Sequence, residues 1–176
     1  MQQVIVQKFG GTSVGSGERI AAVAEIIKNE AEMNTVVVVV SAMAGETDRL
    51  IELSKLFGDN PNKREFDALI STGEKVSASL LAMALNSLGL KAKSYSAAQV
   101  SLKTTSNFSK AKILDIDKAK MEEILADGSI PIITGFQGIT ETGEVTTLGR
   151  GGSDTTAVAI AASLKANRCD IYTDVD

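Results

Sequence analysis

Three patterns in the sequence predict an α/β fold, a three-layer αβα sandwich with a mostly parallel sheet. The run from Val36 to Val40 is uninterrupted and β-branched, which is typical of a parallel strand buried on both faces. Apolar residues from Ile20 to Ala31 recur at helical spacing. Segments of these two kinds alternate along the chain, and alternating βα units favour a parallel sheet with helices on both faces.

The predicted elements follow one another without repeats or linkers, so we expect one domain spanning residues 1–176. The predicted strands cover residues 3–9, 36–40, 91–96, 130–134 and 170–173. The predicted helices cover residues 20–31, 47–57, 63–88, 118–126 and 152–166. The third of these is a single long helix that Gly89 ends. A hairpin is expected over 140–147 with Gly143 at its turn, and the pattern at 113–116 is ambiguous between helix and strand.

Composition excludes several classes of protein. A content of 44% hydrophobic and 23% charged residues indicates an ordinary soluble domain. The net charge of −4 gives no reason to expect nucleic acid as a partner. The absence of histidine excludes Ser-His-Asp and Cys-His catalysis and histidine metal sites, and we expect no protein metal site. The single cysteine, Cys169, lies at the start of the last predicted strand, next to Asp170, and is interpreted as a core residue.

The two ends of the chain lead to expectations about location and length. The N-terminus enters a strand almost at once, without the apolar segment of a signal peptide, so we expect a cytoplasmic protein with no membrane partner. The chain stops at Asp176, directly after a predicted strand. Because ligands of open α/β sheets bind beyond the carboxyl ends of strands, we expect a fold that is incomplete at its C-terminus.

A glycine-rich loop follows the first predicted strand. Lys8 is the next-to-last residue of that strand, and the loop contains Gly10, Gly11 and Ser13. Glycines let backbone N–H groups approach phosphate oxygens, and a lysine at this point could reach a transferring phosphoryl group. The segment is not a Walker loop, because Ser16-Gly17 replaces the Lys-Ser/Thr pair. A purely structural βα turn is an equally good interpretation of this loop taken alone.

Glu74 lies on an apolar helix face that it shares with Ile70, Ala78, Leu81 and Leu85. A carboxylate on such a face is costly to bury unless it meets a cation. The cation could belong to a buried salt bridge, or it could be the ammonium group of a ligand. Short neighbouring residues leave room for that ligand.

A second glycine-rich segment opens the last predicted helix and contains Arg150, Gly151, Gly152, Ser153 and Asp154. Ser153 or Asp154 is expected to cap that helix. Capping does not explain an arginine between glycines, whose planar fork suits a carboxylate.

Five segments together resemble the aspartate kinases of the amino-acid kinase family. They are Lys8-Phe9-Gly10-Gly11-Thr12-Ser13, Ser41-Ala42-Met43, Ser71-Thr72-Gly73-Glu74, Thr147-Leu148-Gly149-Arg150-Gly151-Gly152-Ser153-Asp154 and Thr173-Asp174-Val175-Asp176. They occur in the family's order along the whole chain, and the first and fourth are highly specific. The resemblance implies an amino-acid-kinase-like sandwich whose remaining catalytic sequence and ACT-type regulatory domains lie beyond this chain.

The resemblance also implies a role for each candidate residue. Lys8 and Asp154 would be catalytic, with Asp154 orienting the lysine. ATP would be bound by Lys8, Gly10, Gly11, Ser13, Thr173 and Asp174. L-Aspartate would be bound by Ser41, Thr47, Glu74, Arg150, Gly151, Gly152 and Ser153. The implied activity is ATP- and Mg²⁺-dependent phosphorylation of the β-carboxylate of L-aspartate, and we expect a homo- or hetero-oligomer for the full-length protein.

The chemistry agrees with these residue types. A carboxylate with an ordinary pKa of about 3.9 is already ionised at neutral pH, so a protein without histidine needs no general base for this reaction. Two alternatives remain open: another kinase of the family, acting on glutamate, acetylglutamate, carbamate or UMP, or a non-catalytic nucleotide-binding fragment. Glu74 argues against UMP and against an acylated amine, since neither offers an ammonium group.

Overall fold

The structure, a computed structural model, describes residues 2–173. Its nine strands in this range are Val4–Phe9 (β1), Thr35–Val40 (β2), Ala92–Tyr95 (β3), Leu102–Thr104 (β4), Ile113–Ile116 (β5), Ile130–Thr134 (β6), Gln137–Ile139 (β7), Val145–Thr147 (β8) and Arg168–Tyr172 (β9). The six helices are Gly17–Ala31 (α1), Glu46–Ser54 (α2), Lys63–Ile70 (α3), Thr72–Ser87 (α4), Lys118–Ala126 (α5) and Gly152–Leu164 (α6).

Five strands form the main sheet in the order β3-β6-β2-β1-β9, and every pair of neighbours is parallel. The β-branched run of β2 lies at its centre, as strands buried on both faces must. Phe9 is in register with Val40 and with Tyr172, and Val40 is in register with Thr134. The carboxyl ends of four strands therefore meet at one edge of the sheet.

Helices cover both faces of this sheet, which confirms the predicted αβα sandwich. On one face, α1 and α4 pack against alternate residues of β2, namely Val36, Val38 and Val40. On the other face, α5 and α6 pack against the intervening Val37 and Val39. Successive side chains of a strand point to opposite faces, so one uninterrupted valine run supplies both cores.

A second sheet of four short strands, in the order β5-β4-β7-β8, was not predicted. Only its β7–β8 hairpin was expected, and the hairpin begins at Gln137 rather than at Thr140. The ambiguous segment 113–116 is a strand, β5. The strands of this sheet have three or four residues each, too few for alternation of apolar and polar residues to give a signal.

The single helix predicted over 63–88 is wrong in one respect, because it is interrupted between α3 and α4. Ser71 separates the two helices, and its carbonyl accepts a hydrogen bond from the Gln137 side chain at 2.8 Å. Sequence periodicity continues through the break, so only the contact with the second sheet reveals it. By length and composition the helical stretch 63–87 could cross a membrane, but half of it is buried inside the molecule, as in a core helix.

Candidate functional site

A cleft of about 380 Å³ opens beyond the carboxyl ends of β1 and β2, where open α/β sheets bind ligands. Its walls come from the β1–α1 loop, the β2–α2 loop, the start of α4 and the start of α6. Ten of the residues predicted for the site line this cleft: Lys8, Gly11, Ser41, Thr47, Glu74, Arg150, Gly151, Gly152, Ser153 and Asp154.

Lys8 and Asp154 meet at one end of the cleft. Side chains alternate along β1, so Lys8 lies on the same face as Val6, the face that α6 covers. Asp154 is in the first turn of α6, and its Oδ1 lies 2.8 Å from Lys8 Nζ. Lys8 is only 7% exposed, whereas the Asp154 side chain is half exposed. The Asp154 carboxylate therefore holds the Lys8 ammonium group near the carboxyl end of β1, a strand that is otherwise buried.

The glycine loop contributes to the cleft through Gly11. The N–H of Gly10 donates to the carbonyl of Tyr172 at 3.3 Å, so this donor is already paired within the protein. A Cβ at Gly10 would lie 3.4 Å from Lys8 Nζ and 3.5 Å from the carbonyl oxygen of Tyr172, which are ordinary van der Waals distances. Ser13 and Thr173 are not among the residues that line the cleft, and Asp174 lies outside the described residues.

Glu74 lies deep in the cleft, in the first turn of α4, and is 2% exposed. Within residues 2–173 its Oε2 has no hydrogen-bond partner and no lysine or arginine pairs with it. Burial raises the pKa of Glu74 to about 8, although the N–H groups of Glu74 itself and of Ala42 oppose that rise. The buried salt bridge considered for this residue is therefore not formed in the described part of the chain.

Gly73 and Ser77 hold the start of α4 against the end of β2. A side chain at Gly73 would approach the Ala42 Cβ to 2.8 Å, so only glycine permits this packing. Ser77 Oγ donates to the carbonyl of Ser41 at 2.6 Å. These contacts bring Glu74 beside the β2–α2 loop.

Ser41 and Thr47 lie on either side of that loop. Ser41 follows β2, and Thr47 is in the first turn of α2. The N-terminus of α2 carries a partial positive charge, and Gly45, its N-cap residue, lines the cleft. Two acidic residues in the same turn, Glu46 and Asp48, offset that charge, and Asp48 lines the cleft.

Arg150 lies on an exposed loop between two glycines that both have left-handed backbone conformations. Gly149 has a φ of 83° and Gly151 a φ of 71°, values that L-residues with side chains rarely adopt. This geometry carries the chain sharply from β8 to α6 and leaves Arg150 at the rim of the cleft. In the described part of the chain, no acidic side chain forms an ion pair with Arg150.

The expected helix cap is wrong. Gly151 is the N-cap residue of α6, and no side chain caps the helix there. Asp154 instead meets Lys8, and Ser153 is buried against Gly135, where an added Cβ would come within 2.7 Å of the serine Oγ. The N-terminus of α6 is thus left open toward the cleft.

Several residues with a place in or around the cleft were not found from the sequence, and four of them have large or polar side chains. Asp48 and Phe136 line the cleft, and Phe136 has a left-handed φ of 75°. Asp67 and Gln137 are buried beneath it. Asp67 could have been found, because the spacing of Asp67, Ile70 and Glu74 follows one helix face; Gln137 gives no signal of this kind.

The arrangement brings together three ionisable receptors, two basic and one acidic. Lys8 offers a cation for phosphate oxygens, Glu74 an acidic group without a cation, and Arg150 a guanidinium without a carboxylate. An amino acid carries the two charges that Glu74 and Arg150 would complement. Such a cleft can hold an amino acid beside a phosphate group.

The chain is similar to known proteins over nearly its whole length. The chain matches the amino acid kinase family over residues 3–176. It is 57% identical over 173 residues to an aspartokinase of Geobacillus stearothermophilus, covering 98% of this chain but 42% of that protein. The chain thus spans less than half the length of this relative.

Two solved structures are similar over nearly the whole chain. The aspartate kinase from Synechocystis is 50% identical, with a TM-score of 0.85 and coverage of 98% of this chain and 28% of that one. E. coli aspartokinase III, in complex with aspartate and ADP, is 27% identical, with a TM-score of 0.83 and coverage of 98% and 49%.

Proposed function

Because the chain belongs to the amino acid kinase family, we propose that it supplies the catalytic site of an aspartate kinase. The reaction is transfer of the γ-phosphoryl group of ATP to the β-carboxylate of L-aspartate. The observation that carries this proposal is the buried Glu74 without a cation, in the same cleft as Lys8 and Arg150. An amino acid with a free ammonium group satisfies it, and relatives named aspartokinases support aspartate as that amino acid.

Substrate aspartate would be held at both of its α-groups. Glu74 would accept hydrogen bonds from the α-ammonium, and Arg150 would donate two parallel bonds to the α-carboxylate. Ser41, Thr47, Ser153 and the glycines Gly151 and Gly152 would complete the pocket. The β-carboxylate is then left free to meet the nucleotide.

Phosphoryl transfer would need positioning and charge neutralisation rather than proton transfer. An oxygen of the ionised β-carboxylate attacks the γ-phosphorus, and the bond to the β,γ-bridging oxygen breaks, which releases ADP and 4-phospho-L-aspartate. Lys8 would neutralise charge on the transferring group. Asp154, 2.8 Å from Lys8, would keep that ammonium group in place.

ATP would contact Lys8, Gly10, Gly11 and Ser13, with Thr173 and Asp174 beside the nucleotide. Within residues 2–173 no group of three or more acidic or sulfur side chains could hold a metal ion. The proposed Mg²⁺ would enter with the ATP phosphates, whose charge it would neutralise. We also propose a cytoplasmic, oligomeric enzyme that catalyses the first step of lysine, threonine and methionine biosynthesis.

An assay of ADP release with Mg²⁺–ATP, run on the full-length gene product, tests this function. L-Aspartate should support turnover, whereas L-glutamate, N-acetylglutamate, carbamate and UMP should not. Turnover with N-acetylglutamate or UMP would overturn the assignment of Glu74, because neither substrate carries an ammonium group. Binding of ATP without turnover on any acceptor would favour the non-catalytic alternative.

Arg150→Lys should raise the aspartate KM by about tenfold or more and leave the ATP KM within twofold. A lysine keeps the charge but loses the planar fork that binds a carboxylate through two hydrogen bonds. Steady-state kinetics with each substrate varied in turn measures both constants. Arg19→Lys, an exposed substitution on α1, is the matched control. Equal increases in both constants would place Arg150 on the phosphates instead.

Aspartate affinity should rise with pH up to about 8 and then level off. In the free protein Glu74 is mostly protonated at pH 7, because its pKa is about 8. Binding an ammonium group requires the carboxylate, so aspartate displaces that proton, and affinity falls as pH falls below 8. The other charged residues lining the cleft are Lys8, Asp48, Arg150 and Asp154.

Calorimetric titration with aspartate at pH 7, in buffers of different ionisation enthalpy, measures the released proton directly. We expect close to one proton per aspartate bound. Glu74→Gln should abolish this release, which separates Glu74 from the other charged residues of the cleft. Binding without proton release by the unsubstituted protein would contradict the assignment.

A further inference from the structure

Two buried polar side chains connect the break between α3 and α4 to the second sheet, the small sheet formed by β5, β4, β7 and β8. Asp67, on α3, is fully buried, and Gln137, on β7, is 2% exposed. Gln137 Nε2 donates to the carbonyl of Ser71, the residue between the two helices, at 2.8 Å. Neither side chain lines the cleft, and the mechanism proposed above uses neither of them.

Asp67 is satisfied by hydrogen bonds alone. Its Oδ2 accepts from the backbone N–H groups of Ser109 and Thr147, both at 2.8 Å. Its Oδ1 accepts from the hydroxyl groups of the same two residues, at 2.9 Å and 3.0 Å. In the described part of the chain no lysine or arginine pairs with it. Four directed donors therefore fix this carboxylate more closely than one mobile ammonium group would.

The partners of Asp67 lie next to the residues that would bind the amino acid. Thr147 is the last residue of β8 and lies three positions before Arg150. Its carbonyl accepts from the N–H of Ala111 at 3.0 Å, so its N–H, carbonyl and hydroxyl groups are all bound. Beyond it the loop contains two glycines, and the anchored Thr147 is therefore what sets the starting point of the Arg150 loop.

The same set of hydrogen bonds also reaches the helix that carries Glu74. Asp67 on α3 and Glu74 on α4 are both buried, seven positions apart, and Ser71 lies between them. Gln137 holds Ser71, and Asp67 holds Thr147, so the α3–α4 break and the end of β8 are tied together at two points. The small sheet thus links the helix that carries Glu74 to the loop that carries Arg150.

We infer that Asp67 and Gln137 are positioning residues that set the distance between the ammonium receptor Glu74 and the carboxylate receptor Arg150. This inference rests on the proposed function, since it assigns those two receptors to one amino acid. Within the described residues, α3, β7 and β8 contribute no side chain to the two apolar cores that hold the main sheet to its helices. Loss of these hydrogen bonds is therefore expected to weaken aspartate binding more than ATP binding, because Lys8, on the ATP side, lies on β1 of the main sheet.

Substitution of Thr147 tests this with little disturbance. Thr147→Val removes the hydroxyl bond to Asp67 at nearly constant volume, whereas Thr147→Ser keeps it. We expect Thr147→Val to raise the aspartate KM by about tenfold, the effect of roughly one lost hydrogen bond to a charged group. Asp67→Asn disturbs more of these bonds and should raise the aspartate KM by at least as much. The ATP KM should stay within twofold, and Thr147→Ser should retain an aspartate KM close to that of the unsubstituted protein.

The KM values are measured on the full-length gene product, at a temperature well below its unfolding temperature. Equal increases in both KM values, or a lowered Tm with both KM values unchanged, would overturn the positioning role. If Asp67→Asn does not fold, Ser109→Ala, which removes one hydroxyl donor, provides the same comparison.

Failure of the proposed function would look different. An unsubstituted protein that phosphorylates another amino acid would refute aspartate as the substrate. The same separation between the KM for that amino acid and the KM for ATP would still test the role of Asp67.

Discussion

Lys8→Met is expected to lower kcat by about 10²–10³-fold, the usual cost of losing one fixed group that stabilises transition-state charge. Methionine is similar in length to the lysine it replaces but brings no charge to the γ-phosphate. Because Lys8 lies at the end of β1 and only 7% of it is exposed, little else in the cleft should move. Single-turnover kinetics with saturating Mg²⁺–ATP and L-aspartate measures the chemical step separately from binding.

Two comparisons make the Lys8 result specific. Lys118→Met, on the exposed face of α5, is the matched control and should leave kcat unchanged. Asp154→Asn should lower kcat less than Lys8→Met, because it removes only the partner that holds the ammonium group. A Lys8→Met protein with normal kcat and a raised ATP KM would show that Lys8 contributes to nucleotide binding alone.

Glu74→Gln is expected to change aspartate affinity and stability in opposite directions. The glutamine has the shape of the glutamate but cannot ionise, so it loses the charged partner of the substrate ammonium. Hydrogen bonds to charged groups contribute about 1.5–3 kcal/mol, which corresponds to roughly 10–100-fold in aspartate affinity. Calorimetric titration of both proteins at pH 8 measures this loss.

Stability should increase in the same variant. The folded-state pKa of Glu74, about 8, lies above its ordinary value of 4.5, so the folded protein keeps a proton that the unfolded chain releases. The free energy of unfolding therefore falls as pH rises from about 4.5 to 8, by roughly 3 kcal/mol at pH 7. Glu74→Gln removes this pH-dependent loss of stability. The Tm of the variant should therefore exceed that of the unsubstituted protein by an amount that grows from pH 5 to pH 8.

Glu123→Gln, an exposed substitution on α5, is the control for charge alone. A Glu74→Gln protein that melts at a lower temperature with unchanged aspartate affinity would assign Glu74 to a structural ion pair. Such a result would also remove the main observation on which the proposed function rests.

The main sheet and much of the cleft follow from local patterns in the sequence. The valine run of β2 has to be buried on both faces, and alternating βα units leave few arrangements other than a parallel sheet. Parallel strands bring their carboxyl ends to one edge, so residues at strand ends such as Lys8 and Ser41 are expected near one another. Helical spacing likewise placed Glu74 on a buried face, because periodicity depends only on neighbours along the chain.

Only the tertiary structure decided what those residues meet. Lys8 and Asp154 are 146 positions apart, and no local pattern could pair them. The pKa of Glu74 depends on how completely the fold removes it from water and on the lack of a cation within residues 2–173. The α3–α4 break and the four bonds to Asp67 depend on the small sheet, whose strands are too short to be recognised. Local periodicity therefore determined the layers, whereas charge pairing and burial, which join distant segments, determined the chemistry of the cleft.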